Sequence, residues 1–308
     1  MRTGFLARLS LGATLLLVAV GGFTRGSGSG YGCADRWPLC EDGLLGGLLP
    51  RWEYHMVIEW THRWIAALVG ILAVTTAISA WRHCRKRSLV VAPAFAAVLV
   101  IGIQAWVGRL VVKGNLATDL VSLHLAISMT VVALLTIVVV AAGNPAAAAN
   151  LPGGRRPWTF RVGVAAVASF LLLMLGSVVH NLYFPGWPLM QDTLLPDLSS
   201  TVAVAHFTHR LLAGLLGIYL TYLIIVGNRI ALPIREKRLI AGAGVAYLIN
   251  IALGGAHVFT KVSSAFLVAT HLGLAAVVWS LLVAATTTTI LAQQETVTGT
   301  PLSSPSGL

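Results

Sequence analysis

The stretch 55–80, HMVIEWTHRWIAALVGILAVTTAISA, decides how this chain folds, because it has a counterpart at 202–227, VAVAHFTHRLLAGLLGIYLTYLIIVG. Each copy is long and apolar enough to cross a bilayer, which takes roughly 20 mostly apolar residues. Each carries the word Thr-His-Arg, so His62 and Arg63 recur as His209 and Arg210, 147 residues on. A second histidine keeps the same displacement: Leu123-His124-Leu125 returns as Thr270-His271-Leu272. Gly108 has a counterpart in Gly255 at 147, and Trp37-Pro38-Leu39-Cys40 returns as Trp187-Pro188-Leu189-Met190 at 150. The chain reads as a tandem, parallel repeat that sets one histidine on each of four apolar segments.

The rest of the composition agrees with a membrane protein. Of 308 residues, 57% are hydrophobic and only 10% charged, against about 25% charged in an ordinary soluble domain. Mean hydropathy is +0.84. In lipid, every backbone group must be paired within its segment, so the spans are expected as helices. The net charge of +11 would suggest nucleic acid in a soluble protein. Here the cations gather in alternate loops: Arg82, Arg85, Lys86 and Arg87; Arg155, Arg156 and Arg161; Arg229, Arg235, Lys237 and Arg238. That is the positive-inside pattern, and it argues for lipid and against nucleic acid as the partner.

The hydrophobic runs predict eight spans, at 8–24, 55–80, 89–112, 120–142, 162–182, 202–227, 239–258 and 265–291. Both termini then lie in the cytoplasm of a multi-pass cell-membrane protein. The first run has the length of a signal-peptide core, but no clear Ala-x-Ala site follows it, so it reads as a retained helix. The expected fold class is an all-α integral membrane protein with two tandem four-helix bundles. Residues 1–143 form the first, 144–160 a cytoplasmic linker rich in Pro and Gly, 161–292 the second, and 293–308 a disordered tail.

Nine histidines occur. His83 lies in a basic loop and reads as solvated, while His55, His180 and His257 read as interfacial. His62, His124, His209 and His271 each fall one to two turns inside a span, at one shared depth. An ionisable group there is costly, and marks function unless it is only an interhelical hydrogen bond. The matched displacement of two pairs favours metal ligation. No carboxylate-rich or Cys-rich cluster accompanies them, which argues against structural zinc and iron–sulfur. Two histidines on facing helices can clamp a haem iron axially. Arg63 and Arg210 then stand where a guanidinium can meet haem propionates, as Arg25, Arg109 and Lys113 also do, or else they snorkel to lipid phosphates.

Some residues break the symmetry. Glu59, the only acidic residue in the predicted spans, precedes His62 by three positions and shares its helix face. Its counterpart is His206. Glu59 either pairs with Arg63 for structure or acts on whatever is bound beside His62. Cys33 and Cys40 share the first outer loop on the oxidising side, where a disulfide can form. It would serve as a staple or as a redox-active pair. Cys84, in a basic loop, reads as a free thiol.

Taken in order, these words resemble the haem A synthase family, membrane enzymes that convert haem O to haem A for cytochrome oxidase. The resemblance covers about residues 8–290. It runs through Gly22-Phe23-Thr24-Arg25, Gly28-Ser29-Gly30, the Cys33/Cys40 loop, Glu59-Trp60-Thr61-His62-Arg63, Gln104, Gly108 and His124. It continues through Phe184-Pro185-Gly186-Trp187-Pro188-Leu189-Met190, His209-Arg210 and His271. It implies that His62 and His124 flank the substrate haem O, that His209 and His271 ligate a haem b cofactor, and that Glu59 is the active-site acid. It implies too that Cys33 and Cys40 are the family's cysteine pair and that haem O synthase delivers the substrate. Two other classes fit paired histidines: a dihaem electron-transfer protein, and a haem transporter or chaperone. The first usually sets its haems near opposite faces, whereas these four histidines share one.

Overall fold

The computed structural model describes residues 2–40, 43–143, 156–180, 182–187, 189–190, 193, 195–230 and 232–298. Most of the linker expected at 144–160 and the end of the expected tail lie outside them. Eight helices follow in order: α1 (Arg2–Gly26), α2 (Tyr54–His83), α3 (Ser88–Lys113), α4 (Thr118–Ala142), α5 (Arg156–Val179), α6 (Thr201–Arg229), α7 (Ile234–Phe259) and α8 (Ala265–Thr298). All eight are long and apolar enough to cross a membrane. The protein is therefore a multi-pass all-α chain, as the hydrophobic runs predict.

The helices mostly run a few residues beyond the expected spans, and three of the differences bear on the reading. The second bundle begins at Arg156 rather than 161. Pro157 sits at the second position of that helix, where its missing N–H has no intrahelical partner to lose. α8 runs on to Thr298, past the expected boundary at 292. Inside it, the hydroxyls of Thr286, Thr287 and Thr288 each donate to the carbonyl four residues back, at 2.7–2.8 Å, so the threonine run stays compatible with lipid. α7 starts early enough to include Glu236, which is buried in its first turn. Glu59 is thus not the only acid within the helices.

α1–α4 pack in a closed ring, and α5–α8 do the same. The rings join through α8, which lies against α1 and α4, and through α4 against α5. Small residues let α1 and α8 approach closely. A Cβ on Gly22 would stand 3.1 Å from the Cα of Ala269, one on Gly26 2.9 Å from the Cα of Ala265, and one on Gly273 3.0 Å from Ala19. This is small-residue packing of the kind membrane helices use in place of a hydrophobic driving force. Hydrogen bonds cross the same seam: Thr136 Oγ1 with Ser280 Oγ at 2.9 Å, Trp279 Nε1 to the Met129 carbonyl at 2.9 Å, and Ser177 Oγ to Ser122 Oγ at 2.8 Å. Such bonds contribute on average about 0.6 kcal/mol each in a membrane.

The turns repeat as well. Asn115 and Leu116 join α3 to α4 with φ of 51° and 59°, and Lys261 and Val262 join α7 to α8 with the same two values. In each, an N–H reaches back five residues to cap the helix: Leu116 to Val111, and Val262 to His257, both at 2.9 Å. These turns are 146 residues apart, whereas the helices after them, starting at Thr118 and Ala265, are 147 apart.

Candidate functional site

The four histidines stand at one level. His62 and His209 lie eight residues past the starts of α2 and α6, and His124 and His271 lie six past the starts of α4 and α8. At 1.5 Å per residue, these are depths of roughly 12 and 9 Å. Topology puts all four helix starts at the same end, opposite the basic loops. His62 lies within electrostatic reach of His124, and His271 of His209.

Each ring is met by a glycine on the preceding helix. A Cβ on Gly21 would stand 3.2 Å from Cε1 of His62, and one on Gly108 3.2 Å from that of His124. The same holds for Gly176 with His209 at 3.2 Å and Gly254 with His271 at 3.3 Å. The sequence pairs Gly108 with Gly255, but the structure pairs it with Gly254, because α3 and α7 run at the 146-residue offset. Gly255 takes the Trp187 indole instead, with Cε2 2.9 Å from where its Cβ would be.

The ring nitrogens show what is missing. Nδ1 of His62, His124 and His209 is shut from solvent with no hydrogen-bond partner, although each residue as a whole is only half-buried. A buried polar atom left bare is costly, so a group from outside the chain is expected to complete these rings. His271 differs: its Nδ1 bonds the Asn250 carbonyl at 3.1 Å. A ring nitrogen can bond a carbonyl only by donating, so Nδ1 holds the proton and Nε2 keeps its lone pair for a metal. Among the described residues, no three His, Cys, Asp or Glu side chains gather around one point. A pair of histidines suits an ion that brings its own equatorial ligands, as haem iron does. The residues present fit that group.

An amide residue on the preceding helix stands beside the second histidine of each pair. Gln104 Nε2 donates to the His124 carbonyl at 2.9 Å and also to Ser128 Oγ. Asn250, 146 residues later, holds His271 through its backbone carbonyl. Gln104 Oε1 and Asn250 Oδ1 are both buried and unpartnered. Sequence reading picked out Gln104 by resemblance and missed Asn250 and three of the four glycines. Asn250 and Gly254 follow Gln104 and Gly108 at the 146-residue displacement, which the histidine offset of 147 conceals; Gly21 and Gly176 stand 155 apart, outside either offset.

Glu59 is buried and held from two sides. Oε2 accepts from the Cys33 backbone N–H at 2.8 Å, and Oε1 accepts from Arg63. Arg63 also donates to the carbonyls of Arg36 and Pro38, at 2.8 and 3.1 Å. Cys33 and Cys40 form a disulfide with a Cα–Cα distance of 4.9 Å, buried against Met56 and Trp60. So the acid, the arginine and the disulfide loop form one latch. In the second half the latch is rebuilt with reversed polarity. His206 Nε2 donates to the Leu182 carbonyl at 2.6 Å, and Arg210 bonds the carbonyls of Gly186 and Phe184. The exchange of Glu59 for His206 follows from the loop: the first offers an N–H and needs an acceptor, the second offers a C=O and needs a donor.

Most of the cations expected to meet propionates also have partners within the chain. Arg63 and Arg210 bind loop carbonyls. Arg109 lies over the Trp106 ring, 4.9 Å from its centroid. Lys113 bonds Asp35 at 3.0 Å and so holds that carboxyl below the usual carboxylate range.

An eight-helix membrane protein built around two histidine pairs is the class these features define. Over residues 5–283 the chain matches the family described as cytochrome oxidase assembly protein, and it belongs to that family. Among its relatives, the Heme A synthase of Symbiobacterium thermophilum is 31% identical over 215 residues, 65% of this chain and 67% of that one. The Heme A synthase of Alkalihalophilus pseudofirmus is 30% identical over 224 residues, 70% and 73% of the two chains. That of Listeria monocytogenes is 28% identical over 263 residues, 80% and 83%.

Proposed function

We propose that the chain is a haem A synthase, which oxidises one ring methyl of haem O to a formyl group. The family match favours this over the dihaem electron-transfer and haem-transporter readings. The observation that carries it is the set of four histidines, three with a bare buried Nδ1 and the fourth with Nδ1–H donated to a carbonyl. His62 and His124 hold the substrate haem O, and His209 and His271 hold haem b. When bound, haem b supplies one-electron redox chemistry. The two halves are a duplicated unit, and the chemistry is assigned to the first.

The chain's own residues then position and polarise. Gly21 and Gly108 let the first pair of imidazoles stand upright against their neighbouring helices. Glu59, one turn from His62, sets a fixed negative charge beside the substrate, where it favours positive charge developing on the ring. Converting a methyl to a formyl group with dioxygen as the four-electron oxidant leaves one oxygen atom on the carbon and one in water; protons leave the carbon on the way, and Glu59 is the acidic group placed to take one. The N–H of Cys33 and the guanidinium of Arg63 hold its carboxylate in position. The basic loops face the cytoplasm with both termini, the protein lies in the cell membrane, and haem O synthase supplies the substrate.

The test is expression alongside a haem O source in air, followed by pigment extraction. Haem A should appear with this chain and be absent without it. Haem-loaded protein that yields only haem O would overturn the enzyme reading. The Cys33→Ser protein is expected to lose several-fold in haem A yield while its haem b spectrum persists, because the loop that holds Glu59 loses its staple. Full activity in Cys33→Ser would remove any redox role for the pair.

A further inference from the structure

Arg25 is an outer cation with a buried nitrogen left unanswered among the described residues. Its Nη2 is shut from solvent and has no partner. It sits between Gly22 and Gly26, the two glycines that press α1 onto the first turns of α8. That contact carries Arg25 out of the first ring of helices and into the neighbourhood of the second. Two histidines meet it there. His180, one residue past α5, lies within charge range of Arg25 and of His257 on α7. His257 has a buried, unpartnered Nδ1, and its ring meets that of His271 edge-on, with centroids 5.3 Å apart. No carboxylate among the described residues pairs with Arg25, His180 or His257. Three basic side chains thus converge on the outer side of His271. Arg25 holds a buried donor with nothing to donate to, and His257, whose ring donates to the Leu267 carbonyl, keeps its Nδ1 bare beside it.

A buried guanidinium nitrogen needs an anion, and its fork geometry suits a carboxylate. A haem held by His209 and His271 carries two, and they prefer the aqueous boundary, the side on which this cluster lies. We propose that Arg25, His180 and His257 form a carboxylate-binding site for the propionate groups of the second-half haem, with Arg25 supplied by the first half. The site rests on the assignment of haem to His209 and His271. It gives α1 a task in both halves: Gly21 braces His62, and four residues on, Arg25 serves the other haem.

The experiment uses the full-length protein in detergent, loaded with haem b or with its dimethyl ester, whose propionates carry no charge. Haem release to excess apomyoglobin is followed by absorbance. Wild-type protein is expected to lose the ester about tenfold faster than the free acid, the scale of one charge-assisted hydrogen bond. Arg25→Gln should lose the free acid about tenfold faster than wild type and no longer distinguish acid from ester, and Arg25→Lys should fall between. Equal release of acid and ester from wild type would overturn the site. So would an Arg25→Gln protein that still distinguishes them, or that sheds both faster by the same factor, as it would if Arg25 bound a lipid phosphate. Should Arg25→Gln fail to fold, the ester comparison in wild type decides alone. Failure of the underlying assignment reads differently: His271→Ala would then leave the haem spectrum unchanged.

Discussion

A Glu59→Ala protein is expected to keep the haem b spectrum of its second half and yet make no measurable haem A. Glu59 is 3% exposed, and its carboxylate answers both the Cys33 N–H and Arg63. Removing it leaves the Cys33 N–H bare and Arg63 with only its two loop carbonyls, so the loss is a large part of the roughly 3–5 kcal/mol that breaking a buried pair costs. The cost falls on the first half, because the second has its own latch through His206 and Arg210. Glu59→Gln separates charge from shape. Glutamine keeps one acceptor but loses the negative charge beside His62. If the charge acts on the substrate, haem A yield should fall by about 100-fold or more, within the range of general acid–base catalysis, with the disulfide still formed. Near-full yield from Glu59→Gln would leave Glu59 a latch residue and no more.

The second large effect is expected at a glycine. Gly254→Leu should abolish the low-spin spectrum of haem b as completely as His271→Ala does. The position of its Cβ is already 3.3 Å from His271 Cε1, so the rest of a leucine side chain must take the space of the imidazole. Gly176→Leu should do the same through His209, at 3.2 Å. Gly254→Ala is the graded case. Its methyl fits if the ring yields by a few tenths of an ångström, so haem should bind more weakly without being lost. Gly214→Leu on α6 is the control, since nothing stands within 4 Å of its Cβ position. Absorption spectra of the purified proteins decide. A normal spectrum in Gly254→Leu would show that the ring does not need its present seat.

Much of this was legible in residue order. The eight spans follow from hydrophobic runs, and the four histidines from a displacement that survives in the helices bearing them. What escaped reading depends on contact. The 146-residue offset of α3 and α7 is one residue off the histidine offset, so Gly254 hides behind its neighbour Gly255. Backbone carbonyls carry no letter in a sequence, so nothing announced that Arg63 and Arg210 would spend their guanidinium groups on loop carbonyls. Nor could span-by-span reading show that Arg25 crosses from one ring of helices to the other. That follows from Gly22 and Gly26 meeting α8, a pairing between the first and last elements of the chain.

The same seam bears on how the protein is made. α1 leaves the ribosome before α8, yet α1 is seated on α8. Until α8 enters the bilayer, Gly22 and Gly26 lack the surface they pack on, and the proposed second haem site has neither His271 nor its neighbouring wall. A chain stalled after α7 is an open clasp. Haem b would be captured only once α8 is in place, in the step that locks the two bundles together.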